Sequence, residues 1–305
     1  MSDVGKTYEA AGVSLATAEQ VVERLRAAVE STGAEGFGAF AGLYPLDERR
    51  LLAATTDSVG TKLMLARKAG RLRDCGRDLA AHCINDVLTT GAAPLILLDY
   101  VAANTIELAH VAELVEGAAD VCREAGCALV GGETAELPGI YRERELDFAG
   151  ACVGIVERAE LIDGSRIGPG DAVIGWPSAG VHANGFTLVR RILDEEPYDG
   201  PDLLAPTALY AEEVRELRRR ADVRGLVHVT GGGILGNLSR VLPDGLDAEI
   251  DWHSWERPPV FDWLARHAGE EELRRVFNLG IGYCAVVPAG DARDGDLVIG
   301  KVVAA

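Results

Sequence analysis

The sequence has few lysines, no paired cysteine motif and no long apolar run. Only four of its 30 basic residues are lysines, at positions 6, 62, 68 and 301. The six cysteines form no Cys-x-x-Cys pair, which argues against a zinc site or a disulfide framework and predicts buried thiols. No apolar run is long enough to span a membrane, and the amino-terminal residues contain no apolar signal segment. We therefore expect a cytoplasmic protein without a membrane segment.

Acidic residues outnumber basic residues by 48 to 30, which gives a net charge of −18. A nucleic-acid-binding surface needs a basic footprint, so we expect no nucleic acid partner. An acidic protein also repels a phosphorylated ligand at long range. A site for such a ligand must therefore supply local cations, backbone N–H donors and a metal. Lys62 is of interest because it lies in a glycine-containing turn.

The order of predicted helices and strands indicates a mixed α/β protein with two domains. Strand and helix patterns alternate in both halves of the 305 residues. The segment ELIDGSRIGPGD interrupts this pattern with glycines and a proline, so we place the domain boundary there, with domains at 1–160 and 161–305. An amphipathic helix, with Thr17 and Gln20 spaced as a capping box, begins the first domain.

The stretch TTDSVGTK contains the first of four polar clusters that lie at strand ends or in glycine turns. The predicted strand RLLAATTD brings Asp57 to its carboxyl end, where the carboxylate can bind Mg²⁺. Gly60, Thr61 and Lys62 offer a close backbone approach, a hydroxyl and an ammonium group to a phosphate. The spacing of a P-loop is absent, and a capped turn with a surface lysine remains the alternative.

The second cluster is Asn85 and Asp86, which interrupt an apolar helix between Ile84 and Val87. A buried carboxylate needs a cation or hydrogen-bond donors, although a solvated helix face remains the alternative. The third cluster lies in LVGGETAELPG, where a short strand is predicted to end just before Glu133. This cluster is either a polar turn or a place where backbone N–H groups and carboxylates meet a phosphorylated ligand and its metal. Its residues are Gly131, Gly132, Glu133, Thr134 and Glu136.

The fourth cluster comprises two glycine-containing turns of the second half, SAGVHANG and HVTGGG. Each combines a histidine, His182 or His228, with small residues that let backbone N–H groups approach an anion. A single histidine is more often structural, but two histidines in such turns of one domain favour a binding site. His82 lies near Asn85 on the predicted helix, so it could face the same site, although a core position is favoured.

At these clusters the sequence resembles the phosphoribosylformylglycinamidine cyclo-ligases, also called AIR synthetases. The resemblance runs in order through most of the chain, in TYEAAGV, TTDSVGTKL, CINDVLTTGAAPLILLDY, LVGGETAELPGIY, GVHANGFTLVRR, LLAPTALY, HVTGGGILGNLSRVLP and FNLGIGY. The combination of GGETAELPG, HANGFTLVR and TGGG distinguishes the chain from selenophosphate synthetase and thiamine-monophosphate kinase, which share the fold.

The resemblance implies ATP-dependent ring closure of formylglycinamidine ribonucleotide (FGAM) to 5-aminoimidazole ribonucleotide in purine biosynthesis. ATP would phosphorylate the formamide oxygen, and the amidine nitrogen would then attack the activated carbon and release phosphate. The resemblance also implies two α/β domains, the first of which forms a barrel-like sheet across a homodimer. ATP and Mg²⁺ would be bound mainly by motifs of the first domain.

The resemblance and the residue chemistry together assign roles to the four clusters. The expected metal ligands are Asp57, Asp86 and Glu133. The expected ATP-binding residues are Asp57, Gly60, Thr61, Lys62, Asn85, Asp86, Gly131, Gly132, Glu133 and Thr134. The expected substrate-binding residues are Asn184, Thr230, Gly231, Gly232 and Gly233. The expected catalytic residues, which hold the substrate, hold the triphosphate or move a proton, are His182, His228 and Lys62.

The chain departs from the family pattern in three places. Ser58 occupies a position where the family usually has glycine. The glycine-rich segment TGAEGFGAFAGLY after the first helix is short, and no lysine or arginine lies between Arg26 and Arg49, where the family usually has basic residues. Only AGDARDGD separates Pro288 from Leu297, where the family usually has a full helix. We therefore expect the second domain to lack one helix and to expose apolar sheet unless another segment or subunit covers it.

Two other functions remain open at this level. A different ATP-dependent phosphoryl-transfer enzyme of the same superfamily would share the first-domain motifs. A non-catalytic nucleotide-binding paralogue would fit the short glycine-rich segment and the missing helix. Such a paralogue would not need both the carboxylates and the histidine turns.

Overall fold

The computed structural model describes residues 6–33 and 37–305. The predicted glycine-rich stretch therefore falls partly outside the described residues, at 34–36, as do residues 1–5. Within the described residues, no helix is long and apolar enough to cross a membrane. All six cysteines are buried and free, as the sequence predicted.

The first part of the chain alternates strands and helices in the predicted manner. Its helices are α1 (Leu15–Glu30), α2 (Lys62–Lys68), α3 (Leu72–Leu88) and α4 (Leu108–Ala125). Its strands are β1 (Gly42–Pro45), β2 (Arg50–Ser58), β3 (Ala93–Ala103), β4 (Ala128–Glu136) and β5 (Leu146–Glu157).

The second part of the chain contributes shorter helices and a second set of strands. Its helices are α5 (Phe186–Leu193), α6 (Ala211–Arg220), α7 (Gly233–Leu238), α8 (Pro259–Ala265) and α9 (Glu270–Val276). Its strands are β6 (Ala172–Pro177), β7 (Gly225–His228), β8 (Leu246–Ile250), β9 (Ile281–Val287) and β10 (Val298–Ala304).

The first sheet has the strand order β1-β2-β5-β3-β4 and is covered by helices on one face. β3 and β4 are parallel, whereas the other neighbours are antiparallel. Side chains on a strand alternate between the two faces of its sheet. Leu97 and Val101 of β3 are therefore buried in the core with α3 and α4, while Leu98 and Tyr100 of the same strand are exposed.

The second sheet has the order β7-β9-β6-β10-β8, and its central strands are buried on both faces. Every residue of β9 is buried. Val214 and Leu217 of α6 belong to the core on one face, and Ile234 and Leu238 of α7 belong to the core on the other. The predicted mixed α/β class is confirmed, whereas a sheet that continues across a dimer stays a prediction.

Two local predictions are wrong in detail. α1 begins after Ser14, whose hydroxyl oxygen accepts the Thr17 N–H at 3.2 Å, so Thr17 and Gln20 do not form the cap. β4 continues through Glu133 to Glu136 because it pairs with β3 over this length. Glu133 therefore lies within a strand and not in the turn that follows it.

The expected helix between β9 and β10 is replaced by a short 3-10 turn, Ala289–Asp291, as the sequence predicted. The expected exposure of an apolar sheet does not follow. The outer strand β8 presents the polar side chains of Asp247 and Glu249 to solvent, and Glu249 pairs with Lys301 of β10 at 3.1 Å. A polar outer surface makes a further helix on these strands unnecessary.

Candidate functional site

A stripe of buried polar residues runs along α3 where this helix meets the second part of the chain. Side chains three or four positions apart on a helix lie on the same face, which brings Asp78, His82, Asn85 and Asp86 into line. The exposed fraction of each is at most 8%. α3 packs on the first sheet and also contacts β7 and α6, so the stripe lies at the junction of the two domains.

Two carboxylate–imidazole pairs form what we call the histidine cluster, defined as Asp57, His82, Asp86 and His228. His82 Nδ1 lies 3.1 Å from Asp57 Oδ2, and His228 Nδ1 lies 2.8 Å from Asp86 Oδ1. The two imidazole rings meet edge to face, with 5.1 Å between their centroids. The Nε2 atoms of both rings are buried and have no hydrogen-bond partner. The cluster combines residues of β2, α3 and β7.

The charges of the histidine cluster are set by burial and by the close carboxylates. Burial, together with the charge of Asp57, raises the pKa of Asp86 to about 8. Burial lowers the pKa of His228 well below its usual value, which favours the neutral imidazole. Burial opposes a charge on His82 as well, but the hydrogen bond and charge of Asp57 outweigh it and raise the pKa of His82.

Lys62 lies in a separate lysine cluster, defined as Lys62, Asp78, Ala205 and Thr207. Lys62 Nζ lies 2.7 Å from Asp78 Oδ2 and donates to Ala205 O at 2.8 Å. Asp78 Oδ1 accepts the N–H and the hydroxyl of Thr207, each at 2.8 Å. Both charged side chains are fully buried. This geometry argues against the expected role of Lys62 in holding triphosphate or in catalysis, because its ammonium is enclosed and already paired, and that role stays a prediction.

Asn85 is also occupied by contacts within the protein. Its amide nitrogen donates to Ala208 O at 2.8 Å, and its amide oxygen accepts the Tyr210 N–H at 3.1 Å. The side chain has no exposed surface. The amide of Asn85 joins α3 to the segment before α6, which argues against a direct contact with ATP, and the expected role in ATP binding stays a prediction.

The Gly60–Thr61 turn remains open to a ligand. Gly60 is exposed and has a φ of +65°, a conformation that favours glycine. Thr61 Oγ1 lies 3.2 Å from Thr187 Oγ1 of α5, so this turn also touches the second part of the chain. Beside it lies a cavity of about 380 Å³, lined by residues that include Gly60, Thr61, Met64, Arg67, Lys68 and Arg144.

Glu133 does not meet Asp57 within one chain. Ser58 pairs with Ala149, Ala149 with Tyr100, and Tyr100 with Glu133, so these residues form one row across the sheet. Asp57 lies in the adjacent row, and neighbouring rows project to opposite faces. Glu133 is exposed with Gly131, Gly132 and Thr134, and its carboxylate accepts the Thr134 N–H at 2.9 Å. The third expected metal ligand thus lies on the other face of the sheet.

The carboxylates of Asp57 and Asp86 are suitable as two of the ligands of a magnesium ion. Their carboxylates are hard oxygen donors, and each disfavours the charge of the other unless a cation lies nearby. Mg²⁺ commonly takes one or two carboxylates and completes its shell with phosphate oxygens and water. Among residues 6–33 and 37–305, no group of three or more His, Cys, Asp or Glu side chains is arranged to hold a metal.

The two turns of the second domain differ in accessibility. His182 is fully buried, has a φ of +62°, and its Nε2 accepts the Ala179 N–H at 3.1 Å. Asn184 is half-buried. In the other turn, which also holds Thr230, the backbone of Gly231 is exposed, whereas Gly233 packs tightly against Arg274 O. Asn237 Nδ2 donates to Gly233 O at 2.8 Å and fixes this turn.

Arg240 is a site residue that the sequence reasoning missed. Its guanidinium lies 3.9 Å from the centre of the Phe40 ring and donates to Ala39 O at 2.8 Å. Phe40 O in turn lies 3.0 Å from Thr55 Oγ1, which is 3.3 Å from Asp86 Oδ2. The arginine and the aromatic residue lie 200 positions apart, so no local pattern connects them.

Comparison with known proteins identifies both halves of the chain. A family model described as AIR synthase related protein, N-terminal domain, matches residues 38–156, and the corresponding C-terminal domain matches residues 168–303. The chain is 48% identical over 314 residues to a phosphoribosylformylglycinamidine cyclo-ligase of Synechococcus sp. (strain CC9605), covering 96% of this chain and 90% of that protein. It is 41% identical to the enzyme of that name from Burkholderia mallei (strain SAVP1), covering 95% and 88%.

A solved structure with the same fold is AaThiL in complex with AMPPCP and TMP. The TM-score is 0.65, the sequence identity is 17%, and the alignment covers 92% of this chain and 90% of that one. At this identity the likeness establishes the fold alone.

Proposed function

The chain belongs to the AIR synthase family, as a phosphoribosylformylglycinamidine cyclo-ligase, and we propose that the junction between its two domains is where the reaction takes place. The enzyme is a ligase of purine biosynthesis. The observation that carries the proposed location is the histidine cluster, because it brings two carboxylates and two imidazoles with free Nε2 atoms to the domain junction.

ATP is proposed to bind at the Gly60–Thr61 turn, with its base directed to the adjacent cavity. The turn offers an exposed backbone and a hydroxyl, and Arg67 and Lys68 of α2 are the cations on its side of the cavity, whose lining also includes Glu143, Glu145 and Asp147. The related fold of AaThiL holds AMPPCP, which supports a nucleotide site in this chain. Local cations are needed because the whole chain carries a charge of −18.

Asp57 and Asp86 would hold Mg²⁺, which when bound neutralises phosphate charge. Glu133 can join this set only from another chain or after rearrangement, since it lies on the opposite face of the sheet. Its neighbours Gly131, Gly132 and Thr134 are exposed and stay proposed nucleotide contacts, and Gly132 lies in the same row of the sheet as Asp57.

FGAM is proposed to bind on the side of the second domain, with its ribose phosphate at the glycine turn 231–233. Gly231 has an exposed backbone with open space where a side chain would lie, and Asn184 and Thr230 provide polar side chains near the same junction. A backbone without side chains allows a phosphate to come close to the N–H groups.

In the proposed reaction, the γ-phosphoryl group passes from ATP to the formamide oxygen, and the amidine nitrogen then attacks the same carbon. Phosphate leaves, and the attacking nitrogen loses one proton. His228 is the candidate acceptor because an Asp86 carboxylate ionised by the bound cation would accept Nδ1–H and leave a lone pair on Nε2. His228 is fully buried, so the turn that follows it must move for the substrate to reach Nε2.

The test is an assay of FGAM consumption by the purified protein with and without ATP, with product identification. We expect ATP-dependent formation of 5-aminoimidazole ribonucleotide together with ADP and phosphate. Other phosphoryl acceptors, including thiamine monophosphate, serve as comparison substrates. Phosphorylation of one of these in place of FGAM would assign the chain to another activity of the superfamily, and nucleotide binding without turnover would assign it to a binding role.

A homodimer through the first sheet is proposed from its uncovered face. Leu98 and Tyr100 of β3 and Val130 of β4 have exposed fractions of 40%, 36% and 55% on the side opposite α3 and α4. Apolar side chains on a whole sheet face favour a partner surface. Tyr100→Glu should convert a dimer to a monomer in sedimentation velocity, whereas Leu108→Glu, at an 85% exposed position of α4, should not. A wild-type monomer that is fully active would contradict the proposal.

A further inference from the structure

His82 is a buried side chain to which the proposed reaction gives no task. It lies on α3, one helical turn before Asp86, and only 3% of its surface is exposed. Its position in an apolar helix favours a core residue. Its contacts in the structure are polar, however, and they lead directly to Asp57.

The contact with His82 determines how the Asp57 carboxylate is oriented. Asp57 Oδ2 lies 3.1 Å from His82 Nδ1, and Asp57 Oδ1 accepts the N–H of the adjacent Ser58 at 2.6 Å. The carboxylate is therefore held at both oxygens, once by its own strand and once by α3. Without His82, only the contact with the neighbouring residue would remain among the described hydrogen bonds, and the carboxylate would lose its fixed orientation.

α3 supplies one member of each pair in the histidine cluster. It provides His82 to hold Asp57 of β2, and it provides Asp86, which is held by His228 of β7. The two rings contact each other at 5.1 Å between centroids, with an angle of 82° between their planes. The directions of the two carboxylates are therefore linked through the ring contact across both domains.

A role in packing alone does not account for the imidazole. His82 Nε2 is buried without a hydrogen-bond partner, and burying an unpaired polar atom costs stability. An apolar side chain of similar size would fill the same space without that cost. Such a side chain cannot, however, donate a hydrogen bond from the position of Nδ1.

We propose that His82 is a positioning residue that orients the Asp57 carboxylate toward the metal-bound triphosphate. The proposal rests on the proposed function, since it assumes that Asp57 faces Mg²⁺ and ATP. Imidazole–carboxylate contacts of this kind fix a ligand without touching the reacting atoms. His82 would act through Asp57 and not on the substrate.

The test compares His82→Asn with His82→Leu. The asparagine amide nitrogen can take the place of imidazole Nδ1, whereas leucine has a similar size and no donor. The dissociation constant of the ATP analogue AMPPCP is measured by calorimetry over a range of Mg²⁺ concentrations and without Mg²⁺. kcat and KM are measured in parallel, and thermal unfolding shows that each variant is folded.

In the leucine variant we expect the Mg²⁺-dependent gain in AMPPCP affinity to fall by about 10- to 100-fold, the range for residues that orient metal ligands. Binding without Mg²⁺ should stay within about twofold of the wild type, because the residue acts only through a metal ligand. The asparagine variant should recover most of the lost affinity. His110→Asn, on the partly exposed side of α4, is the control and should behave as the wild type.

An unchanged Mg²⁺ dependence in a folded His82→Leu variant would overturn the proposal and make His82 a packing residue. An asparagine variant as weak as the leucine variant would also overturn it, since the donor position would then be irrelevant. His82→Gln, whose amide lies nearer the position of Nε2, replaces leucine if that variant does not fold. If none of the three folds, the role is structural and the proposal fails. Wild-type protein without Mg²⁺-dependent AMPPCP binding would instead refute the proposed function itself.

Discussion

The lysine cluster and the histidine cluster occupy neighbouring turns of the same helix, yet they differ in how completely they are paired. Lys62 and Asp78 form a buried ion pair to which Ala205 and Thr207 add hydrogen bonds, while Asp78 Oδ2 accepts no hydrogen bond but lies 2.7 Å from the Lys62 ammonium. In the histidine cluster, each imidazole has one nitrogen on a carboxylate and one buried nitrogen with no partner. A fully paired network makes a structure rigid and unique, whereas an incompletely paired one retains capacity for a ligand.

This difference indicates which buried charged groups at the domain junction contribute to stability and which contribute to catalysis. Both clusters join α3 to the second domain, so position alone does not separate them. Pairing does. We therefore expect substitutions in the lysine cluster to affect the free energy of unfolding, and substitutions in the histidine cluster to affect turnover.

The largest effect is expected for Asp57→Asn or Asp86→Asn, which should abolish turnover with only a small loss of stability. Each substitution removes a negative charge from the proposed metal site. Burial already disfavours the charge of Asp86, as its pKa of about 8 indicates, so a neutral side chain of the same shape is tolerated there. At Asp57 burial also disfavours the charge but the contact with His82 outweighs it and lowers the pKa, so the loss of stability should be the larger of the two. Steady-state kinetics over a range of Mg²⁺ concentrations, with thermal unfolding as the control, measures both effects. Near wild-type turnover with the same Mg²⁺ dependence would refute the ligand assignment for that residue.

Much of the fold was predictable because it depends on local patterns. The strand that ends at Asp57, the long helix that ends before Gly126 and the missing helix between β9 and β10 all follow from apolar periodicity and glycine positions. The length of β4 was not predictable in this way. It extends through Glu133 because β3 provides a partner, and the sequence of β4 carries two glycines that suggest a turn.

The candidate site was predictable only in part. Asp86 was singled out because an acidic residue in an apolar helix needs a partner, and His228 because it precedes glycines. The partner of Lys62 was not predictable, since Asp78 lies 16 positions away and the other contacts come from residues near 205. For the same reason Arg240 was missed, and His82 was favoured as a core residue although it could face the site. Their significance depends on tertiary contacts with Asp57 and Phe40, which no spacing in the sequence reveals.

The next largest effect is expected for Lys62→Met, which should destabilise the protein by about 3–5 kcal/mol. Removing one member of a buried ion pair leaves the other charge uncompensated. Asp78 would keep its contacts with Thr207 but lose its cation. Denaturant unfolding measures the effect, and Lys68→Met, at an exposed position of the same helix, is the matched control with an expected change of no more than about 0.5 kcal/mol.

The nucleotide affinity of Lys62→Met is a second test of the difference between the lysine cluster and the histidine cluster. At a temperature where Lys62→Met is folded, AMPPCP should bind with nearly wild-type affinity, because Lys62 Nζ is enclosed by Asp78 and Ala205. A large loss of affinity without loss of stability would restore the role in triphosphate binding that the geometry argues against.

The smallest of these effects is expected for His228 and His182, and the two residues should differ in their effect on kcat. His228→Ala should lower kcat by roughly a hundredfold, the lower end for a positioned proton-transfer group, and leave the AMPPCP affinity measured without Mg²⁺ nearly unchanged. His182→Ala should have a smaller effect on kcat, because its Nε2 already accepts the Ala179 N–H and its ring is held among backbone groups. Its effect should appear mainly in stability. Titration of each variant with AMPPCP and FGAM separately, followed by turnover measurements, separates binding from chemistry. If His228→Ala lost this Mg²⁺-independent nucleotide affinity and kept its FGAM affinity, the proposed position of the substrate at the junction would be wrong. The histidine cluster would then contact the nucleotide alone.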